Sequence, residues 1–121
     1  HGWPDLPQLW SKLIEEFQKE YYCVTLELPN YNKNRIQNKW GYEFMDIVRA
    51  VAYTIQDRIL SKSPHSQVTL VIHDWGALIG LVTNKFYPHL FNRIAAIDVG
   101  DNGKQSEWST YQKLFTMGYQ W

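Results

Sequence analysis

A single cysteine, Cys23, stands in the whole chain, so no internal disulfide can form and no pair of thiols is present for a structural zinc site. An excess of one charge is equally missing. Twelve Lys and Arg balance twelve Asp and Glu for a formal net charge of zero, which argues against an electrostatic nucleic-acid binder. Long hydrophobic runs are lacking too: the longest nearly apolar stretch, Val68 to Ile72, is far too short to span a bilayer. No basic segment followed by an apolar run opens the chain. There are no low-complexity tracts, internal repeats or inter-domain linkers. With 45% hydrophobic and 20% charged residues, the composition is that of an ordinary globular domain. The 121 residues make one small domain at most. These features set the expectation of a soluble chain with no cofactor, no metal, no nucleic-acid partner and no transmembrane segment. Cysteine usage and the lack of Asn-x-Ser/Thr lean toward the cytoplasm without fixing it. The chain opens on His1 rather than Met, in a segment, HGWP, that reads as a loop following a strand, so a piece of a longer protein is expected.

Leu6, Leu9, Trp10, Leu13, Ile14 and Phe17 recur at spacings of three and four, with Lys12, Glu15, Glu16 and Lys19 opposite them, which predicts an amphipathic helix. Tyr22 to Leu28, rich in β-branched and aromatic residues and stopped by Pro29-Asn30, predicts a strand. Cys23 within it is expected to be a small buried hydrophobe. The polar stretch Asn30 to Asn38 reads as a loop. Phe44, Ile47, Val48, Val51, Ile55, Ile59 and Leu60 carry helical spacing that ends before Ser63-Pro64. Val68 to Ile72 reads as a strand covered on both faces. Trp75 to Tyr87 predicts a helix, Ile94 to Val99 a further buried strand, and Ser106 to Tyr119 a last helix.

Strands alternating with helices of these lengths imply an α/β fold: a parallel sheet of three strands with helices on both faces. In such sheets chemistry gathers in the loops at the carboxyl ends of the strands. The loop before the first helix and the segments 73–76 and 98–103 are therefore the places to search.

In VTLVIHDWGALIG, Val68 to Gly80, a strand runs into a helix with almost no loop between them. A turn that tight puts Asp74 at its apex, with small residues at Gly76 and Gly80 to let the helix approach closely. Geometrically this is a nucleophile elbow. The alternative is that Asp74 serves only as an N-cap, accepting hydrogen bonds from the first helical amides.

HDWGA after an apolar strand resembles the elbow of the α/β-hydrolase superfamily, in the branch of the epoxide hydrolases and haloalkane dehalogenases, where aspartate replaces the usual serine. HGWPD, at the start, is similar to the HGxP signature of the same branch. The two motifs stand in the family's order, separated by helix, strand and helix. YPHLFNRIAAIDVG matches the family's next helix end and strand, so the resemblance spans essentially the whole chain.

The resemblance implies roles residue by residue. Asp74 would be the nucleophile, forming an alkyl ester that water later cleaves. The backbone N–H groups of Trp75 and Trp3 would donate to the oxyanion. His1, Gly2, Pro4 and Trp75 would shape the substrate site, with His1 forming the loop rather than acting as a base and Trp3-Pro4 suggested as a cis peptide. His73, next to Asp74 on the strand, points the opposite way and is not expected to be the base. Asp98 matches one family position for the orienting acid, although a loop-capping role for Asp98 or Asp101 stands beside it. In this superfamily the order is nucleophile, acid, histidine. The one histidine after Asp74 is His89, at a helix end remote from the elbow, so this chain is expected to lack the catalytic base. Residues 104–121 resemble the entry to the cap domain, whose tyrosines would protonate an epoxide oxygen. Tyr111 and Tyr119 there read more simply as helix packing.

The implied substrate is a small apolar molecule, an epoxide or a haloalkane. Trp3 leans toward the epoxide, because the dehalogenases commonly carry Asn at that position to hold halide. An ester or lactone hydrolase fits less well, because a carboxylate attacking a carbonyl gives an anhydride. A non-catalytic relative acting by binding, or a truncated inactive product, remains the reading from another class.

Overall fold

A computed structural model describes residues 1–31 and 38–97. The expected helix over 106–119, the cap entry at 104–121, and Asp98, Asp101, Tyr111 and Tyr119 lie outside the described residues.

The chain enters through a 3-10 turn, Pro7–Trp10, that runs into α1, Ser11–Phe17. Proline opens the turn because its fixed φ suits a first helical position and its missing N–H has no partner to lose there. The apolar stripe forms as its spacing predicts, yet Leu9, Leu13 and Phe17 remain largely exposed. Helix α2, Phe44–Ile55, buries Val48, Ala52 and Ile55, a three-and-four spacing that places all of them on one face. Its apolar run continues through a π-helical turn, Gln56–Leu60, closed by the Ser61 N–H donating to the Gln56 carbonyl at 2.8 Å. The helical path ends ahead of Ser63-Pro64, where the proline rule puts the stop.

Strand β1, Thr69–His73, leads into α3, Trp75–Phe86, and a short 3-10 turn, Pro88–Leu90, hands on to β2, Arg93–Ile97. The strands pair in parallel, with Thr69 opposite Arg93 and His73 opposite Ile97. Helix α3 packs on β1, and α2 packs on α3. The contact of α3 with the sheet is close because Gly80 has no side chain: a Cβ there would lie 2.7 Å from Ile72 Cγ2. Ala52, Ile55 and Leu90 form a buried cluster flanked by Val51, Ile59, Leu60, Val68, Tyr87 and Phe91.

Three expectations are corrected. Tyr22 to Leu28 forms no strand, so the sheet among the described residues has two strands rather than three. β-propensity records fit to a pleated, half-buried surface, and the start of this segment lacks one: Tyr22 is 88% exposed and Val24 45%, while Leu28 at its end is buried. Cys23 is accordingly only half-buried. The strand in segment 94–99 was expected to be buried, but β2 keeps only Ile94 half-covered, and β1 buries Ile72 alone.

Candidate active site

The site is built where β1 meets α3. His73 ends the strand, Trp75 begins the helix, and Asp74 alone makes the turn, with φ 52° and ψ −125°. A side chain at positive φ outside the left-handed helical well is strained, and such residues persist only where their surroundings over-determine them. Here the surroundings are clear. The Asp74 carbonyl accepts the Ala77 N–H at 2.8 Å, which starts the helix. The Asp74 side chain makes no cap hydrogen bond to that helix, so the N-cap alternative is not the arrangement found. Its Oδ1 instead accepts the backbone N–H of Trp3 at 2.9 Å, from a residue 71 positions away.

The HGWP segment is fitted against the elbow from the other side. A Cβ on Gly2 would overlap the Asp74 carboxylate, so only glycine permits the approach. The Gly76 N–H donates to the His1 carbonyl at 2.9 Å, and a Cβ on Gly76 would lie 2.6 Å from that same oxygen. Gly76 therefore serves the approach of HGWP, whereas Gly80 serves the approach to the sheet. The Trp3-Pro4 peptide is cis, as the motif suggested. Trp75, the second expected donor, stands at the first position of α3, where a backbone N–H has no intrahelical acceptor. Both tryptophans are open to solvent, at 58% and 36% exposure.

A family model for the alpha/beta hydrolase fold matches residues 1–121. The chain belongs to the alpha/beta hydrolase fold family. Among curated relatives of this alpha/beta hydrolase, Epoxide hydrolase 4 of Mus musculus is 29% identical over 98 residues, 81% of this chain and 26% of that protein. Epoxide hydrolase 1 of Caenorhabditis elegans is 22% identical over 122 residues, 97% of this chain and 29% of that protein. Cis-3-alkyl-4-alkyloxetan-2-one decarboxylase of Shewanella oneidensis is 23% identical over 107 residues, 83% of this chain and 31% of that protein. The chain thus spans about a quarter to a third of the length of the curated relatives it matches.

Within this alpha/beta hydrolase the remaining expected residues fall as follows. His1 is 6% exposed, with Nε2 accepting the Leu28 N–H at 3.0 Å, so its side chain is engaged inside the protein. Pro4 follows Trp3 on the exposed side of the turn. His73 is half-buried at the strand end. Among the described residues no group of three His, Cys, Asp or Glu side chains could hold a metal ion, and no helix is long and apolar enough to cross a membrane.

Tyr31 was missed by sequence reasoning. Its ring meets His1 edge-on, with centroids 5.2 Å apart, and its phenol is pushed up to about 12, first by burial and then by the charge of Asp74. A tyrosine directly after Leu28-Pro29-Asn30, alone among the amides and cations of its loop, was the available signal. The loop is clasped at its neck: Asn30 donates from Nδ2 to the Asn38 carbonyl, and the Asn38 N–H donates to Asn30 Oδ1, each at 2.9 Å.

Proposed function

We propose that this site opens epoxides through an ester on Asp74. A carboxylate oxygen attacks a ring carbon in line with the carbon–oxygen bond that breaks. The ring oxygen leaves with the electron pair and takes a proton from an acid, and an alkyl ester of Asp74 remains. Water then adds to the ester carbonyl with the help of a base, and the diol departs as the carboxylate is restored.

The observation that carries this reading is the hydrogen bond from the Trp3 N–H to Asp74 Oδ1. It divides the two carboxylate oxygens. Oδ1, held by the amide, becomes the ester carbonyl and later the oxyanion, and the other oxygen is left to attack. A donor already placed where negative charge develops lowers the second barrier without reorganising, an effect worth roughly 2.7–4 kcal/mol for one such donor. Trp75 N–H, at the start of α3, would be the second donor. The strained backbone of Asp74 supports the same reading, because strain of this kind gathers at sites of chemistry. The similarity to curated epoxide hydrolases favours an epoxide over carbon–halogen cleavage.

Mixing the full protein with excess terminal epoxide, quenching in acid and mapping the peptides by mass tests the reading. The expected result is an adduct of the whole epoxide on Asp74, missing from Asp74→Ala. No adduct on the wild-type protein, or one on another side chain, overturns it.

A further inference from the structure

Tyr31 brings to the elbow a hydroxyl that the fold leaves unused. Its ring stands edge-on to His1, with the planes at 78°. The His1 carbonyl accepts the Gly76 N–H at 2.9 Å, and the next residue, Gly2, lies so close to the Asp74 carboxylate that a Cβ would overlap it. The phenol thus approaches Asp74 from the His1 side, and it feels the carboxylate charge. Its backbone is held in place by the Tyr31 N–H donating to the Leu28 carbonyl at 3.4 Å and by the clasp between Asn30 and Asn38. Tyr31 is half-buried, and a tyrosine in such a setting usually pairs its O–H. Here the hydroxyl has no hydrogen-bond partner among the described residues.

We propose that the Tyr31 hydroxyl is a specificity-determining substrate contact: it donates a hydrogen bond to an ether or hydroxyl oxygen on the carbon next to the epoxide ring, so that the site takes neutral epoxides bearing such an oxygen in preference to plain alkyl epoxides. The proposal rests on the reading of Asp74 as the nucleophile. In-line attack sends the ring oxygen to the side of the reacting carbon opposite Asp74. Tyr31 comes in beside the carboxylate, so it meets the substituent and not the leaving oxygen. Burial and the Asp74 charge both disfavour the phenolate, which keeps the phenol a donor across the neutral range. The Trp3 and Trp75 N–H groups are donors as well, so a substrate that brings acceptors matches the site, whereas one that brings a carboxylate adds a second negative charge beside Asp74. An all-carbon substrate leaves the Tyr31 donor unpaired, and that is the physical basis of the preference.

The test uses the full protein and two probes of one shape, butyl glycidyl ether and terminal epoxyoctane, in which a methylene replaces the ether oxygen. The quantity read is the ratio of kcat/KM for the ether to kcat/KM for the alkyl epoxide, in the wild type and in Tyr31→Phe. Phenylalanine keeps the ring against His1 and removes only the hydroxyl, and the intrinsic difference between the probes cancels between the two proteins. The ratio is expected to fall about three- to tenfold in Tyr31→Phe, through the ether. An unchanged ratio overturns the proposal, as does a fall that comes from a faster reaction of the alkyl epoxide. If the wild type opens neither probe, the reading of Asp74 fails, and the Kd values of the two intact epoxides, read from indole fluorescence, still decide. A preference for the ether that is lost in Tyr31→Phe upholds the contact, and the same preference in both proteins overturns it.

Discussion

The backbone N–H of Trp3 and the carboxylate of Asp74 meet at 2.9 Å across 71 residues of sequence. A main-chain donor thus faces a side-chain acceptor whose own backbone is held at positive φ. Neither half can be altered without moving the other, and the predictions follow from that dependence.

Asp74→Gly and Asp74→Ala both remove the carboxylate and are expected to end turnover, but they differ in stability. Alanine keeps a Cβ at φ 52° and retains the strain, whereas glycine releases it. Strain of roughly 1–3 kcal/mol exceeds the roughly 0.5–1 kcal/mol that glycine loses through the freedom of the unfolded chain. Urea midpoints should therefore rank Gly above Ala, and the reverse order would mean that the elbow is not strained.

Gly76→Ala and Gly80→Ala separate the site from the fold. A Cβ at Gly76 would lie 2.6 Å from the His1 carbonyl oxygen, and one at Gly80 2.7 Å from Ile72 Cγ2. Each substitution should destabilise by about 1–3 kcal/mol. Gly76→Ala alone displaces HGWP from the elbow, so its kcat should fall on the order of a hundredfold, while folded Gly80→Ala keeps its kcat. Titrating both variants in denaturant and assaying them below their transitions checks the difference.

Tyr31 predicts a pH dependence at the alkaline end. Its folded value of about 12 lies above the unfolded 10, because burial and then the Asp74 charge disfavour the phenolate. The folded chain consequently holds a proton that the unfolded chain releases. The stabilisation is fully present below about pH 10 and is lost as pH rises through about 12. The difference in stability between wild type and Tyr31→Phe should be flat below this window and move against the wild type within it. A flat difference throughout would contradict the burial of the Tyr31 phenol and the action of the Asp74 charge on it.

Ile55→Ala tests the core on which α2 rests. Ile55 is 2% exposed and packed in the cluster with Ala52 and Leu90. Truncation there should cost about 2–5 kcal/mol, while Leu13→Ala on the open face of α1 should cost far less. Thermal or urea unfolding reads both.

The elements legible in the sequence were those with a period of their own. Val68 to Ile72 and the spacing of Phe44 to Leu60 announce a strand and a helix because their neighbours in space are built from adjacent turns and strands. The π-helical turn at Gln56–Leu60 was not legible, since Val51, Ile55 and Ile59 recur every four residues, a spacing that an α-helix also uses. Tyr22 to Leu28 misled, because its composition reports what a strand would like to pack against and not whether that surface is beside it. At the site, HDWGA placed Asp74 at its apex from local pattern alone. The meeting of Trp3 with Asp74 followed from family resemblance, and the approach of Tyr31 and His1 from neither, because contacts between distant loops leave no periodic trace.

The most direct measurement is a single turnover of an epoxide by the full protein in heavy-oxygen water, with enzyme in excess. If Asp74 forms the ester and water cleaves it at the carbonyl, the first diol carries an ordinary oxygen taken from Asp74, and the heavy oxygen appears in the Asp74 carboxylate. Heavy oxygen in the first diol, with Asp74 unlabelled, would mean that water attacks the epoxide directly and would contradict the role given to Asp74.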